Sequence, residues 1–205
     1  MISAGTVSAD ERLRLFLGLR LADADIAQLV AWQEGELGRH AGGGVRIVPR
    51  AGLHVTLAFL GSRPSGELAG VVGALRAAVE VARTRGGPIR FAVERYRETR
   101  SVGMLVLADE AGRGAALAGD LQERLERLGV YRREARPWLP HLTVLRFRER
   151  PRLAPVLPAV APLVPSDAAA FLSRLHPSGA RYEVLAHMGL EPVGLDQSLH
   201  GRLNG

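Results

Sequence analysis

Leu53-His54-Val55-Thr56-Leu57 and Pro140-His141-Leu142-Thr143-Val144 are one short pattern written twice. Each puts a histidine and a threonine two residues apart inside an apolar run. A β-strand has a side-chain period of two, so His and Thr share one face while the interleaved Leu and Val point into a core. A lone histidine in an apolar strand is most often a core residue, and burying polar pairs costs free energy unless they are partnered. Incurring that cost twice, 87 positions apart, points to two strands facing one groove with two imidazoles and two hydroxyls.

That equipment suits general acid–base chemistry on a phosphate. With an ordinary pKa of about 6.5, one imidazole is neutral and the other protonated around neutral pH. The threonine hydroxyls donate to non-bridging phosphate oxygens. Arg146, three residues after Thr143, adds positive charge where negative charge develops. Its parity is opposite to that of His141 in a regular strand, so it must reach in from the strand end or across a bulge. Rival chemistries are weaker. No third histidine or carboxylate stands at ligand spacing for zinc. No Gly-x-Ser-x-Gly elbow is present, and neither glycine-rich stretch matches a phosphate loop or a dinucleotide fingerprint. The chain has no cysteine, which excludes a disulfide scaffold, a thiol nucleophile and thiolate metal sites. No metal and no cofactor are expected.

With 205 residues, 47% of them hydrophobic, the chain suits one compact domain or two small lobes and is long enough for a real core. The net charge is +6, and all 27 basic residues are arginine. Genome composition explains such a bias more simply than a phosphate-rich partner does, although guanidinium binds phosphate bidentately. Met1 to Glu11 lacks an apolar segment of signal length. The uncharged stretch Leu153 to Ser166 is broken by four prolines and cannot be a membrane helix. A cytoplasmic protein without a membrane partner is expected, and a monomer.

Residues 1–10 read as a loose leader and 189–205 as a tail. Strands are expected over Leu13–Leu21, Val45–Val48, Leu53–Leu60 (closed by Gly61), Pro88–Tyr96, Val102–Ala108, Leu139–Phe147, Ala168–Leu175 and Arg181–Met188. Helical spacing covers Asp23–Leu37, Ser65–Arg83 with Ser65 as its cap, and Gly112–Gly129. The result is an α+β chain with antiparallel or mixed sheets and helices outside.

The two motifs, with their flanks and order, resemble those of the two-histidine phosphoesterase superfamily, and within it the RNA 2′,3′-cyclic phosphodiesterases, also called 2′-5′ RNA ligases. Arg14-Leu15-Phe16-Leu17-Gly18-Leu19 is similar to the family's opening strand. Arg46-Ile47-Val48-Pro49 through Leu53–Gly61 is similar to its first motif block, and Arg136–Arg146 to its second. Ser178–Tyr182 resembles the segment before its last strand. The resemblance implies one bilobal domain over residues 1–205. Two antiparallel sheets would flank a central cleft with pseudo-two-fold symmetry. The implied reaction is metal-independent opening of an RNA-terminal 2′,3′-cyclic phosphate to a 2′-phosphate. His54 is then the general acid, His141 the general base, and Thr56, Thr143 and Arg146 the phosphate ligands. Arg14, Phe16, Arg50 and Arg136 are candidate RNA contacts. Ile47 and Met104 stand where family members often carry aromatics, which leaves Phe16 and Trp138 as candidates for stacking. Alternatives are a cyclic phosphodiesterase acting on small nucleotides or ADP-ribose cyclic phosphate, and a non-catalytic RNA-binding module.

Overall fold

The computed structural model describes residues 11–176 and 179–191. The leader and most of the tail, with Ser178, lie outside them. In chain order the elements are β1 Arg12–Leu21, α1 Asp23–Trp32, β2 Val45–Ile47, β3 His54–Pro64, α2 Leu68–Thr84, β4 Phe91–Glu98, β5 Val102–Asp109, α3 Arg113–Arg127, β6 His141–Phe147, β7 Pro165–Arg174 and β8 Arg181–Gly189. Each expected strand and helix has a counterpart. The apolar stripes do what their spacing predicts: Val71, Leu75 and Val79 of α2, and Leu117, Leu121 and Leu125 of α3, are buried in one core.

One expectation is corrected. The lobes do not carry separate sheets; the described strands form a single eight-stranded sheet in the order β4-β5-β6-β3-β1-β7-β8, with β2 against β6. Every pairing in it is antiparallel. The two motif strands lie side by side at its centre and join through the pair Val55–Leu142. The halves are unequal beyond them, since β1, β7 and β8 follow on one side and only β5 and β4 on the other. The symmetry expected from the repeat is therefore not carried by the strand count.

Two boundaries also differ. β3 does not stop at Gly61 but runs on to Pro64, because Gly61, at φ +70°, lets the strand bend past a bulge at Leu60 and resume pairing with Leu15. Ser65 is not the helix cap: a single 3₁₀ turn over Ser65–Glu67 precedes α2, and Glu67 takes the cap position without a side-chain capping bond. The proline-rich connector after β6 has no regular structure at residues 151–162. Its start is tied to buried Glu98, whose carboxylate accepts the backbone N–H groups of Arg152 and Leu153 at 2.9 and 2.8 Å.

Candidate active site

The motif strands share one pattern of exposure. From His to the residue three past Thr, both alternate half-buried and buried, then place two buried residues in succession before an exposed one. Ladder register explains the doublet. Gly18 pairs with Thr56 and Leu17 with Ala58, so Leu57 is skipped. Met104 pairs with Thr143 and Gly103 with Leu145, so Val144 is skipped. Each strand has a bulge immediately after its threonine. The extra residue reverses the parity beyond it, since a slip of one residue moves side chains to the other face. Arg146 therefore stands on the face of His141 and Thr143, as the bulge alternative requires. Phe59 stands on the face of His54 and Thr56 in the same way. The antiparallel sense of the Val55–Leu142 pair puts each motif's histidine toward the other's threonine.

His54 is packed into an aromatic nest. Its ring stacks on Phe16 with centroids 4.7 Å apart, lies 5.6 Å from Phe171, and meets Tyr182 edge-on at 5.3 Å. Gly18 sits beneath it: a Cβ there would lie 3.0 Å from the Val55 carbonyl and 3.4 Å from the imidazole. Desolvation in this nest pulls the His54 pKa down to about 4, and the charges of Arg146 and His141 push the same way. The Gly52 carbonyl opposes that fall, yet Nδ1 is buried without an acceptable hydrogen bond. At neutral pH, with the cleft empty, His54 is an uncharged imidazole.

His141 is anchored differently. Its Nδ1 lies 2.9 Å from the Leu139 carbonyl. A carbonyl only accepts, so Nδ1 carries the proton and donates it, leaving Nε2 free for the cleft. Trp138, just upstream, packs on the core and donates its Nε1–H to the Thr56 carbonyl at 2.9 Å. Trp138 thus pins the approach to β6 onto the first motif, while the Leu139 carbonyl fixes the His141 ring from within its own segment. The hydroxyls of Thr56 and Thr143 have no protein partner among the described residues.

Arg46 of β2 pairs directly with Arg146 of β6. Like charges opposite one another destabilise a sheet. Neither guanidinium makes an ion pair among the described residues. This doublet, on the cleft face and near enough for Arg146 to act on His54, is a place for an anion.

Two cavities open on either flank. One, of about 630 Å³, is lined by His54 with Arg20, Arg50, Ser166 and Phe171. The other, of about 500 Å³, is lined by His141 and Thr56 with Phe59, Arg97, Met104 and Arg136. Arg50 is thus on the His54 flank, paired with Asp23 at 2.6 Å, and Arg136 on the His141 flank, paired with Glu134 at 2.6 Å. Arg14 lies 4.8 Å over the ring of Phe59. Phe16 needs correction as an RNA contact: it is 3% exposed and sandwiched between His54 and Phe171, so it supports the imidazole and offers no face to a base.

A family model described as the 2′-5′ RNA ligase superfamily matches residues 22–176, a span that holds both motifs. The chain belongs to this superfamily of two-histidine phosphoesterases. Among solved structures, TT0787 of Thermus thermophilus is 28% identical, with a TM-score of 0.71 over 89% of this chain and 100% of that one. Escherichia coli LigT in its apo form is 23% identical, with a TM-score of 0.62 over 88% of this chain and 99% of that one. The MHV ns2 PDE domain shares the fold at 18% identity and a TM-score of 0.51, over 75% of this chain and 97% of that one. A comparison with curated protein sequences finds no match. As a superfamily member the protein is a phosphoesterase- or ligase-type enzyme.

In this two-histidine phosphoesterase, sequence reasoning passed over Phe59, which is 49% exposed in the cleft. The signal was present: Phe59 stands three residues after Thr56, as Arg146 stands three after Thr143. Arg46 was quoted within the first motif block but not as a ligand. Only the pairing of β2 with β6 makes it the neighbour of Arg146.

Proposed function

We propose that this protein opens 2′,3′-cyclic phosphates at RNA ends to leave 2′-phosphomonoesters. The observation that carries the reading is the Arg46–Arg146 doublet, without an ion pair among the described residues, beside two His-x-Thr units on one face of adjacent strands. A phosphodiester placed there offsets the doublet's repulsion and receives the Thr56 and Thr143 hydroxyls. Water attacks phosphorus as His141 Nε2 takes its proton. The bond from phosphorus to the 3′ oxygen breaks, and His54 supplies that oxygen with a proton. The arginines hold the charge that builds on the non-bridging oxygens. With an RNA 5′-hydroxyl in place of water, the same breaking of the bond from phosphorus to the 3′ oxygen leaves a 2′-5′ phosphodiester, and dilute water favours hydrolysis.

The test is an RNA oligomer ending in 2′,3′-cyclic phosphate, incubated with the protein in excess EDTA. Ring opening to the 2′-phosphate is expected, with a bell-shaped pH profile. The variants His54→Ala and His141→Ala should each lose at least about a hundredfold in kcat, in the range for removing a general acid or base. Failure of the wild-type protein to open the ring overturns the reading. Arg133 and Arg136 favour one second reading, a small cyclic nucleotide as substrate, because Glu126 and Glu134 already hold the charges that would meet further phosphates. Equal rates on a mononucleotide and an oligomer would select it.

A further inference from the structure

Two buried polar side chains take no part in the chemistry above. Gln33, in the π-helical turn Gln33–Leu37 that extends α1, is 1% exposed, and Gln122 on α3 is 7% exposed. Gln33 Nε2 donates to the Val48 and Val144 carbonyls, each at 3.1 Å. Gln122 Nε2 donates to the Leu57 carbonyl at 2.9 Å. Leu57 and Val144 are the residues that the two ladders skip. Two amides, from helices far apart in sequence, therefore end on the same relative carbonyl of each motif.

A bulge takes a residue out of the ladder on its bulged side and leaves its carbonyl able to take another donor; the Val144 carbonyl accepts the Val48 backbone N–H at 2.9 Å and has one lone pair left for the Gln33 amide. A donor supplied at that point favours the bulged register over the regular one. In the regular register Arg146 and Phe59 would face the core. A plain hydrophobic interface has no need of an amide at either place, because Leu or Met would fill the helix stripe as well. We infer that Gln33 and Gln122 are positioning residues, each holding one motif's bulge so that Arg146 and Phe59 stay on the cleft face. The inference rests on the phosphodiesterase reading of that cleft, and deepens it.

The experiment is a pair of double-mutant cycles on the full chain. Gln33→Met and Gln122→Met keep side-chain length and remove the donor. Each should lower kcat on the cyclic-phosphate oligomer, on the order of tenfold to a hundredfold, as misplaced groups do. If Gln33 acts through Arg146, Gln33→Met costs little further activity once Arg146→Ala is present. Gln122→Met should be redundant with Phe59→Ala in the same way, while the crossed pairs stay additive. A second readout needs no turnover. Arg146 depresses the His54 titration, so Gln33→Met should raise the His54 pKa by NMR toward its value in Arg146→Ala, and Gln122→Met should leave it where it is. Additive losses in every pair, or an unmoved His54 titration in Gln33→Met, overturn the inference, whereas an inactive wild type overturns the reading beneath it. If a Met variant does not fold, the Glu variant of the same glutamine takes its place. Failure of both places that glutamine in the stability of the fold and likewise overturns the inference.

Discussion

At the scale of the residue, His54 carries the sharpest tension in the site. The proposed role requires it to hold a proton at the start of turnover, yet its aromatic nest pulls its pKa down to about 4. The missing charge is the substrate's. A phosphodiester against Arg146 sets a negative charge near the ring, and an opposite charge favours the imidazolium. Saturating inorganic phosphate or 2′-AMP should therefore raise the His54 titration, followed by its ring protons in NMR, by at least one pH unit. A titration that stays near 4 would exchange the roles, with His54 taking the proton from water and His141 donating. The same burial has a consequence for stability. The folded-state pKa lies below the ordinary value of 6.5, so the unfolded chain binds the proton more readily. The contribution is whole above pH 6.5 and is lost as the pH falls from there through about 4; it amounts to about 3 kcal/mol. His54→Phe, which keeps a ring in the nest and cannot titrate, should lose less stability than the wild type across that window in urea melts.

At the scale of the element, the two bulged strands and β1 beside β3 make the site. β1 brings Phe16, Gly18 and Arg20 onto the cleft face, and Gly18 stands against the Val55 carbonyl and the His54 imidazole. Gly18→Ala should destabilise the fold by about 1–3 kcal/mol, because the Val55 carbonyl is backbone and cannot step aside. Its pressure on the imidazole should also lower kcat by about tenfold, since small displacements at a reacting group are expensive. A variant of wild-type stability and rate would show that the cleft yields freely there. The motif strands were legible in the sequence because period two is a local property, and so were the apolar stripes of α2 and α3. The bulges were not, since a skipped residue is defined by the partner strand. Without them the parity of Arg146 leaves a reach from the strand end and a bulge as equal alternatives, and Phe59 goes unremarked. Gln33 stands in the apolar spacing Ile26, Leu29, Leu37, and Gln122 beside Leu121 and Leu125. A polar residue on a buried stripe is a signal that sequence alone carries, but its target, the carbonyl of a bulge, is known only from the fold. Phe16 was misplaced for a related reason: its partners His54, Phe171 and Tyr182 come from three different strands.

At the scale of the whole molecule, the question is whether the excess of arginine serves a polymeric substrate. A net charge of +6 is a weak argument by itself. Placement is a stronger one. Much of the basic charge is neutralised locally, as in Arg124 with Asp120 and Arg63 with Glu67. Arg46, Arg97 and Arg146 make no ion pair among the described residues, while Arg133 and Arg136, in the cavity beside His141, reach toward exposed carboxylates that a phosphate chain can displace. A strand entering from that flank, with its terminal base near Phe59, would lay further phosphates along Arg97, Arg133 and Arg136. Single-stranded nucleic acid releases counterions with a logarithmic slope of about −0.7 for each phosphate neutralised. If two phosphates beyond the cyclic one are held, kcat/KM for the oligomer should fall with salt about 1.4 logarithmic units per decade more steeply than for a cyclic mononucleotide. Arg97→Gln with Arg136→Gln should flatten the oligomer's slope and leave the mononucleotide's rate nearly unchanged, because neither side chain touches the reacting phosphate. Parallel slopes for the two substrates would mean that only the terminal nucleotide is recognised, and the arginines of that flank would then be surface charge without a part in binding.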